Sequence, residues 1–418
     1  MSIGYACLLI GQVNASLSSC RIKYASFENI RRISSANLSA LKSMIDYNRQ
    51  EKIHLFRISS DIIPFASHQQ VNFPWQEEFG EALAGIGDKI KEGNLRVSMH
   101  PGQYTILNSP HPQVVHNAVA DLKYHAEFLD ALAAGPESKI ILHLGGIYGD
   151  KKRAIRSFKE NYLRLPEKIK RRLALENDDS NYNLEEVLII SRDLGIPVVF
   201  DHLHHQLNPS PGSMDVYEWI HLCCRTWGKS DGKPKIHYSQ GRSGGSHGAH
   251  SNSIKAREFL DFYYSLPDKN IDIMLEVKDK NLSVIKCINI LDPNLPIDRL
   301  KREWTRYQYL ILSQSAGKYK EIKEIFKQNK GIEALSFYDK IDMVRELPED
   351  REQQVIAAQL IWSKLKLDCS LGEKKRYQKL LQGYIEGKVS ISSLKRHLFK
   401  SARKQNNTDM LKSYYFYL

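Results

Sequence analysis

Short apolar runs rich in β-branched residues alternate along the chain with longer segments whose apolar residues recur at helical spacing. Eight of these runs are strand candidates, and they are Ile3–Ile10, Ile53–Ser59, Leu95–His100, Lys139–Leu144, Arg172–Glu176, Pro197–Asp201, Lys235–Ser239 and Ile271–Val277. The helical segments between them include Leu38–Tyr47, Val114–Ala134, Asn183–Leu194, Asp215–Thr226 and Ser253–Ser265. Eight strands that alternate with helices predict an α/β fold in which parallel βαβ units close into a (β/α)8 barrel.

Polar residues at helix starts give two capping predictions. Asn37 should cap the first helix, and Asn181, with Glu185 close behind it, should cap the helix that follows the fifth strand. Beyond about residue 300 the strand pattern ends, and helical patterns follow at 303–328, 349–366, 372–387 and 391–404. We therefore predict a barrel domain over residues 1–300 and a helical C-terminal extension over residues 301–418.

Charge is distributed unevenly between these two regions. The net charge is +12, and residues 301–418 hold 24 Lys and Arg against 14 Asp and Glu, whereas residues 1–300 hold 36 against 34. A basic segment suits a polyanionic partner, because each neutralised phosphate releases counterions. A solvated helical face is the alternative explanation.

Composition indicates a protein of the reduced cytoplasm. No run of about 18 apolar residues is present, so a membrane-spanning helix is not expected. The N-terminal MSIGYACLLIG lacks a basic region and is too short for a secretory signal. The six cysteines form no C-x-x-C pair and read as reduced thiols.

Side chains of metal-ligand type end six successive strand candidates. They are His100, His143, Glu176, Asp201 with His204 close behind, His237 beside Lys235, and Glu276, and the loop after the seventh strand adds His247 and His250. Functional residues of such barrels lie at the carboxyl ends of the strands, so these side chains should meet at one mouth. Their number implies two or three ions, and mixed imidazole and carboxylate donors suit Mn, Zn or Fe rather than Mg or Ca.

A cluster of several ions is typical of enzymes that hydrolyse phosphate esters, where two ions about 3.5–4 Å apart clamp the attacking and leaving oxygens. A metal-dependent sugar isomerase on the same fold is an alternative. Such enzymes normally use carboxylate-rich and histidine-poor ligand sets, so the histidine excess favours phosphodiester hydrolysis.

Seven segments, taken together, carry a family resemblance. They are FRISSDIIP (56–64), MHPGQY (99–104), HLGGIYGDK (143–151), ALENDD (174–179), FDHLHH (200–205), KIHYSQ (235–240) and MLEVKDK (274–280). In this order and at this spacing the chain resembles the UV damage endonucleases, a family that looks like a relative of endonuclease IV. The resemblance covers essentially the whole barrel, from residue 1 to about residue 285.

The resemblance implies an endonuclease that nicks damaged double-stranded DNA immediately 5′ to cyclobutane pyrimidine dimers and (6-4) photoproducts, leaving 3′-OH and 5′-phosphate ends. It also implies activity at abasic sites and a cluster loaded with Mn²⁺, with Zn²⁺ or Co²⁺ as alternatives. We expect a cytoplasmic monomer, nucleoid-associated if bacterial, with no membrane and no obligate protein partner. A general abasic-site endonuclease of the endonuclease IV type is an alternative, whereas a lesion-binding protein with an inactive site is disfavoured because every expected ligand is present.

The family's metal ligands fall on His100, His143, Glu176, Asp201, His204, His237, His250 and Glu276. The choice of His204 over His202 and His205, and of His250 over His247, comes from the resemblance alone. Catalytic roles are expected for Glu176, Glu276 and Lys235, which matches a lysine in the family's metal centre and would have to be deprotonated or carbamylated there. A Lys235 side chain that reaches solvent is the alternative.

Other positions match the family's contacts to DNA. Gln103 and Tyr104 match a probe pair that enters the duplex at the lesion, which suits an amide and a stacking ring; a packed loop aromatic is the alternative for Tyr104. Tyr5 matches a tyrosine near the lesion pocket but could equally be a core residue, and Leu9 stands where the family often has Asn. Arg57 and Lys278 are candidates to hold phosphate, with barrel ion pairs as the alternative.

Overall fold

The computed structural model describes residues 1–242, 244–327 and 332–418. The chain forms two compact units. The barrel unit holds Met1–Leu9, Asn14–Ile254 and Phe262–Ile285, and the helical unit holds Ile10–Val13, Lys255–Asp261 and Lys286–Leu418. The predicted division after residue 300 therefore lies inside the helical unit.

In the described ranges, eight parallel strands pair in chain order, and the last pairs with the first to close the barrel. They are β1 Ile3–Ala6, β2 Leu55–Ile58, β3 Arg96–Met99, β4 Ile140–His143, β5 Leu173–Glu176, β6 Val198–Asp201, β7 Lys235–Tyr238 and β8 Asp272–Leu275. Each lies inside one of the predicted runs, so the predicted (β/α)8 fold is confirmed. The predicted runs are longer because apolar residues continue into the connections.

Alternation along the strands divides the apolar residues between two layers. Ala6, Leu55 and Met274 pack together inside the barrel. Tyr5 and Phe56, one position away on the same strands, pack their rings in a tilted arrangement on the opposite side, at 5.0 Å between centroids. The barrel interior is thus filled with side chains, and only its mouth is available to a ligand.

The helices of the barrel unit connect successive strands. They are α1 Phe27–Glu51, α2 Trp75–Glu92, α3 Pro112–Ala131, α4 Lys151–Leu163, α5 Glu167–Lys170, α6 Leu184–Leu194, α7 His202–Leu207 and α8 Val216–Cys224, while α9 Ala256–Ser265 and α10 Asn281–Leu291 each have residues in both units. All five predicted helices are present, and the first begins about three turns earlier than its apolar pattern indicated.

Both capping predictions are wrong. Helix α1 is capped by Ser26, whose side chain accepts a hydrogen bond from the backbone of Asn29. Asn37 lies buried inside that helix instead. Helix α6 is capped by Asn183, which forms a capping box with Glu186. In both helices a residue type that caps well lies near the apolar pattern, but another residue occupies the N-cap position, where the backbone enters the helix.

The helical unit holds a series of helices, most of which lie in the segments predicted to be helical. They are α11 Ile297–Leu312, α12 Ala316–Lys327, α13 Ala334–Arg345, α14 Arg351–Leu365, α15 Leu371–Ile385, α16 Ile391–Lys404 and α17 Thr408–Leu411. The predicted helix 303–328 is two helices, separated after Leu312, and its residue 328 lies outside the described residues. Helices α13 and α17 were not predicted.

The sequence also predicts that no helix spans a membrane and that the cysteines are reduced thiols. None of the helices in the described part of the chain is long and apolar enough to cross a membrane. All six cysteines are free. The structure therefore holds no disulfide between them.

Asn37 ties helix α1 to two loops, and we predict that this contact contributes to stability. Its carboxamide accepts from the backbone N–H of Ser18 (2.8 Å) and donates to the carbonyl oxygens of Ser18 (2.9 Å) and Ile62 (3.0 Å). Asn37→Ala should leave the buried carbonyl oxygen of Ile62 without this donor and remove both hydrogen bonds to Ser18, and it should destabilise the barrel unit by about 1–3 kcal/mol. Chemical denaturation should show a lower unfolding midpoint, while Ser35→Ala at an exposed position of the same helix should match wild type. Equal midpoints for the two variants would contradict the role of Asn37.

Candidate metal centre

All eight side chains predicted as metal ligands lie together at the carboxyl mouth of the barrel. His143, Glu176 and Asp201 are the last residues of β4, β5 and β6. His100 and Glu276 directly follow β3 and β8. The remaining three are His204 in α7, His237 in β7 and His250 in the loop after β7. The parallel register brings these positions to the same end, as His143 pairs with Glu176 and Asp201 with His237.

The carboxylate of Glu176 is the centre of this cluster, and its side chain is 1% exposed. Its Oε2 lies 2.9 Å from Nε2 of His100 and 3.5 Å from Nε2 of His143. Its Oε1 lies 2.6 Å from Nδ1 of His237. One buried carboxylate thus contacts three imidazoles that come from three different strands.

Two further carboxylates flank this centre. Oε1 of Glu276 lies 3.3 Å from Nδ1 of His237, and its Oε2 lies 3.7 Å from Nε2 of His250. Asp201 is buried, and its Oδ1 accepts from the backbone N–H of His204 (2.8 Å). The ring of His204 lies 5.6 Å from that of His143, centroid to centroid.

Ligand atoms in the cluster are close enough to share cations. Three groups place one such atom from each member within 4.8 Å of the others: His100–His143–Glu176, Glu176–Asp201–His204 and Glu176–His237–Glu276. Within the described ranges, the buried Nδ1 of His143, Oδ2 of Asp201 and Nε2 of His237 have no hydrogen-bond partner. Buried polar atoms are normally satisfied, so these orphan atoms fit divalent metal ions, and the cluster can hold such ions.

Burial disfavours the charged forms of four side chains of the cluster, and neighbouring charges offset this effect on their pKa values to different extents. Burial would raise the pKa of Glu176, but His237 and His143 hold it well below its usual range. Burial raises the pKa of Asp201 to about 7 and lowers that of His143 to about 4. For His204 the effect of burial is outweighed by Asp201, and the pKa rises to about 9. Because metal ligands must be deprotonated, cation binding to Asp201 and His204 should be favoured as the pH rises.

Several residues that the sequence did not single out hold these ligands in place. Asn177 exchanges hydrogen bonds with the backbone of Asp201, at 2.9 and 3.1 Å, and its carbonyl oxygen is hydrogen-bonded to Nδ1 of His204. Oγ of Ser239 lies 3.0 Å from Nδ1 of His250. Such partners orient metal ligands and set their tautomers. Asn177 directly follows Glu176 and Ser239 follows β7, so adjacency to a predicted ligand was their only signal in the sequence.

The backbone of His100 has a similar support. The Ser60 hydroxyl donates to the carbonyl oxygen of His100 (2.8 Å), and Oγ lies 2.8 Å from Nε2 of the buried His125 in α3. Nothing in the apolar pattern of α3 distinguishes His125 from a core residue.

The histidines that the resemblance did not select as metal ligands, which are His202, His205 and His247, lie outside the cluster. His202 packs its ring against Tyr238 and Phe262, and His205 packs against Phe200 and Trp219. His247 is exposed, with Nε2 3.4 Å from the carbonyl oxygen of Asp179. Of the candidate alternatives, the structure brings only His204 and His250 to the other ligands.

Lys235 lies below the cluster inside the barrel. It is two positions before His237 on β7, so both side chains point to the same side of the strand. The side chain is buried, and Nζ has no hydrogen-bond partner in the described part of the chain. Burial, with Arg96 as the next contributor, holds the pKa of Lys235 well below its usual range. A neutral amine is therefore favoured, and the alternative of a side chain that reaches solvent is wrong.

Gln103 and Tyr104 lie at the exposed tip of the loop after β3, and Tyr104 is 65% exposed. The next residue anchors the loop: the buried Thr105 donates from its hydroxyl to Oδ2 of Asp121 in α3 (2.7 Å). Asp121 also accepts from the hydroxyl of Ser67 (2.9 Å). The loop thus presents an amide and a ring to solvent on a fixed base, and the packed alternative for Tyr104 is not what the structure shows.

Two clefts border this tip. One, of about 450 Å³, is lined by Gln103 together with His100, His143 and His204. The other, of about 480 Å³, is lined by Tyr104 and by residues 60–70. The first cleft gives a ligand direct access from the loop to the metal cluster.

The structure places the other residues that were predicted to contact DNA in different surroundings. Tyr5 is buried and donates from its hydroxyl to Asn48 of α1 (2.9 Å), so the structure places it in the core rather than at the mouth. Arg57 is hydrogen-bonded to Oε1 of Glu276, so its guanidinium holds a ligand of the cluster. Lys278 is exposed two residues after Glu276. Leu9, at the position of the family's Asn, is 7% exposed.

Comparisons with known proteins agree with this geometry. A family model described as "UV-endonuclease UvdE" matches residues 2–307, and one described as "Protein of unknown function (DUF1722)" matches residues 308–418. The UV DNA damage endonuclease of Clostridium perfringens (strain 13 / Type A) is 38% identical over 400 residues, which cover 94% of this chain and 96% of that protein. That of Bacillus cereus (strain G9842) is 38% identical over 267 residues, covering 63% and 83%.

Among solved structures, the crystal structure of SacUVDE matches with a TM-score of 0.66 and 37% identity, covering 70% of this chain and 98% of that one. The family model covers most of the chain, and the Clostridium relative extends over both units. The chain belongs to the UV-endonuclease UvdE family.

Proposed function

We propose that the chain is a DNA repair endonuclease that hydrolyses the backbone of damaged double-stranded DNA immediately 5′ to cyclobutane pyrimidine dimers and (6-4) photoproducts. It would leave 3′-OH and 5′-phosphate ends and would also act at abasic sites. The observation that carries the proposal is the cluster of ligands around Glu176 beside the exposed Gln103–Tyr104 tip. The relatives' names as UV DNA damage endonucleases support it. The expected setting is a cytoplasmic monomer.

The proposed cofactor is two or three divalent ions, foremost Mn²⁺, because eight imidazole and carboxylate ligands exceed the need of one ion. Glu176 belongs to all three ligand groups and would be shared between ions. When bound, such ions stabilise charge on phosphate oxygens and lower the pKa of a water nucleophile.

The chain's own residues position and support this centre. Arg57 keeps Glu276 ionised and oriented, and it holds the pKa of that carboxylate below its usual range against the effect of burial. Asn177 fixes Asp201 and His204. We propose that Lys235 acts from the floor of the centre, since its buried amine can remain neutral near cations.

We assign lesion recognition to Gln103 and Tyr104 at the tip of the loop after β3. Gln103 and Tyr104 would enter the duplex and replace the contacts that the damaged bases lose when they leave the stack. The exposed Lys278 beside Glu276 is placed to attract a backbone phosphate near the cluster.

Incision of an end-labelled duplex that carries one photoproduct tests the function. We expect a single nick immediately 5′ to the lesion in Mn²⁺, no nick after EDTA treatment, and no nick in the undamaged duplex. Incision of abasic duplexes alone would favour a general abasic-site endonuclease of the endonuclease IV type. Inactivity on every DNA would overturn the proposal and revive a metal-dependent sugar isomerase.

Two histidines of one loop provide a matched test of the ligand set. His250→Ala should lower bound metal and slow incision by at least about 10–100-fold, the loss typical of even the outer partners of metal ligands. His247→Ala should behave as wild type, because the exposed His247 lies outside the cluster. Metal analysis of wild type should find at least two ions per chain. Equal metal content and rates in both variants would refute the assignment of His250.

The tip can be tested apart from the metal centre. A Gln103→Ala/Tyr104→Ala double variant should bind photoproduct DNA more weakly and retain wild-type metal content, since stacking contributes roughly 1–3 kcal/mol per base. Binding and incision should be measured at limiting enzyme. Wild-type incision of photoproduct DNA by this double variant would show that the tip is not the probe.

A further inference from the structure

Helices α15 and α16 of the helical unit, together with the segment 386–389 between them, form a groove lined by basic side chains. Two adjoining concavities, of about 430 and 870 Å³, share Arg376 and Leu380 in their walls. Apart from Lys388, which is paired with Glu386, the cations along them are Lys375, Arg376 and Lys379 of α15 and Arg396 and Lys400 of α16, and all five are exposed. These five residues define what is called here the α15–α16 groove.

The charge of the groove is not compensated within the described part of the chain. None of its five cations forms an ion pair with a described residue. The two acids on its walls, Glu373 and Glu386, are each paired with another lysine, Lys404 (3.2 Å) and Lys388 (2.7 Å) respectively. The groove therefore keeps a surplus of about five positive charges facing solvent.

Local hydrogen bonds hold both ends of α15, the helix that lines both concavities of the groove. Ser370 and Glu373 form a capping box at the start of α15. At its end, the backbone N–H groups of Lys388 and Val389 donate to the carbonyl oxygen of Gly383 (2.8 and 3.0 Å). An added Cβ at Gly383 would lie 2.7 Å from Cγ2 of Val389, so glycine allows this close turn. Both ends of α15 are thus held by local hydrogen bonds.

We propose that the α15–α16 groove binds backbone phosphates of duplex DNA outside the lesion, an inference that rests on the proposed function for its choice of DNA. Charge complementarity supports it, because the helical C-terminal region carries nearly all of the chain's basic excess. Spacing supports it too. Lys375 and Lys379 are about 6 Å apart along the helix axis, whereas one DNA strand places a phosphate about every 3.4 Å of duplex axis. The row thus spans about two phosphates.

The test compares two charge-reversal variants of the full chain. The groove variant is Lys375→Glu/Lys379→Glu/Lys400→Glu. The control is Lys320→Glu/Lys366→Glu/Lys412→Glu, which reverses three exposed lysines elsewhere on the same unit and changes the net charge equally. Circular dichroism and bound metal per chain should match wild type in both, which establishes folding.

Affinity for a long undamaged duplex is then measured over a range of salt concentrations. The groove variant should bind more weakly, and its slope of log affinity against log salt should flatten by about 0.9 for each lost phosphate contact, or by about 2–3 in total. The control should keep nearly the wild-type slope. Equal slopes for the two variants would overturn the proposal, as would a groove-dependent preference for duplex RNA or for anionic phospholipid vesicles.

Measuring incision of photoproduct DNA by the wild-type protein distinguishes a failure of the groove proposal from a failure of the proposed function. If wild type does not incise photoproduct DNA but only the groove variant loses DNA affinity, the groove proposal stands and the proposed function fails. If wild type incises and both variants bind alike, only the groove proposal fails.

Discussion

A carboxylate buried inside a protein is strongly disfavoured unless opposite charges or hydrogen bonds surround it. Glu176 is 1% exposed, and imidazoles from three other strands contact its two oxygens. The barrel makes this possible because parallel strands end at one mouth and their last side chains converge. Once Glu176 is buried there, each neighbouring ligand must be oriented toward it or toward a cation.

The residues around the cluster follow from that requirement. Asn177 satisfies the backbone of Asp201 and directs His204, Arg57 balances the charge of Glu276, and Ser239 lies against His250. None of these polar groups is needed for the hydrophobic core of the barrel. Their arrangement is explained by a centre that must hold several ligand atoms in fixed positions before any substrate arrives.

Periodicity was enough to predict the barrel, since each four-residue strand lies within an apolar run bounded by polar turns. Strand ends then predicted where His143, Glu176 and Asp201 would meet. Tyr5 shows the limit of such reasoning: position on a strand does not say which face a side chain takes, and pairing with Asn48 turns it toward α1. His125 and Asn37 are buried polar residues whose partners are distant in sequence, so no local pattern could identify them.

Crystals grown with Mn²⁺ can test directly whether Glu176 is the shared ligand of a cluster of several ions. Anomalous diffraction at the manganese edge should show at least two peaks, with Glu176 within coordinating distance of more than one of them. A single peak, or peaks that leave Glu176 uncoordinated in protein that incises DNA, would contradict the account.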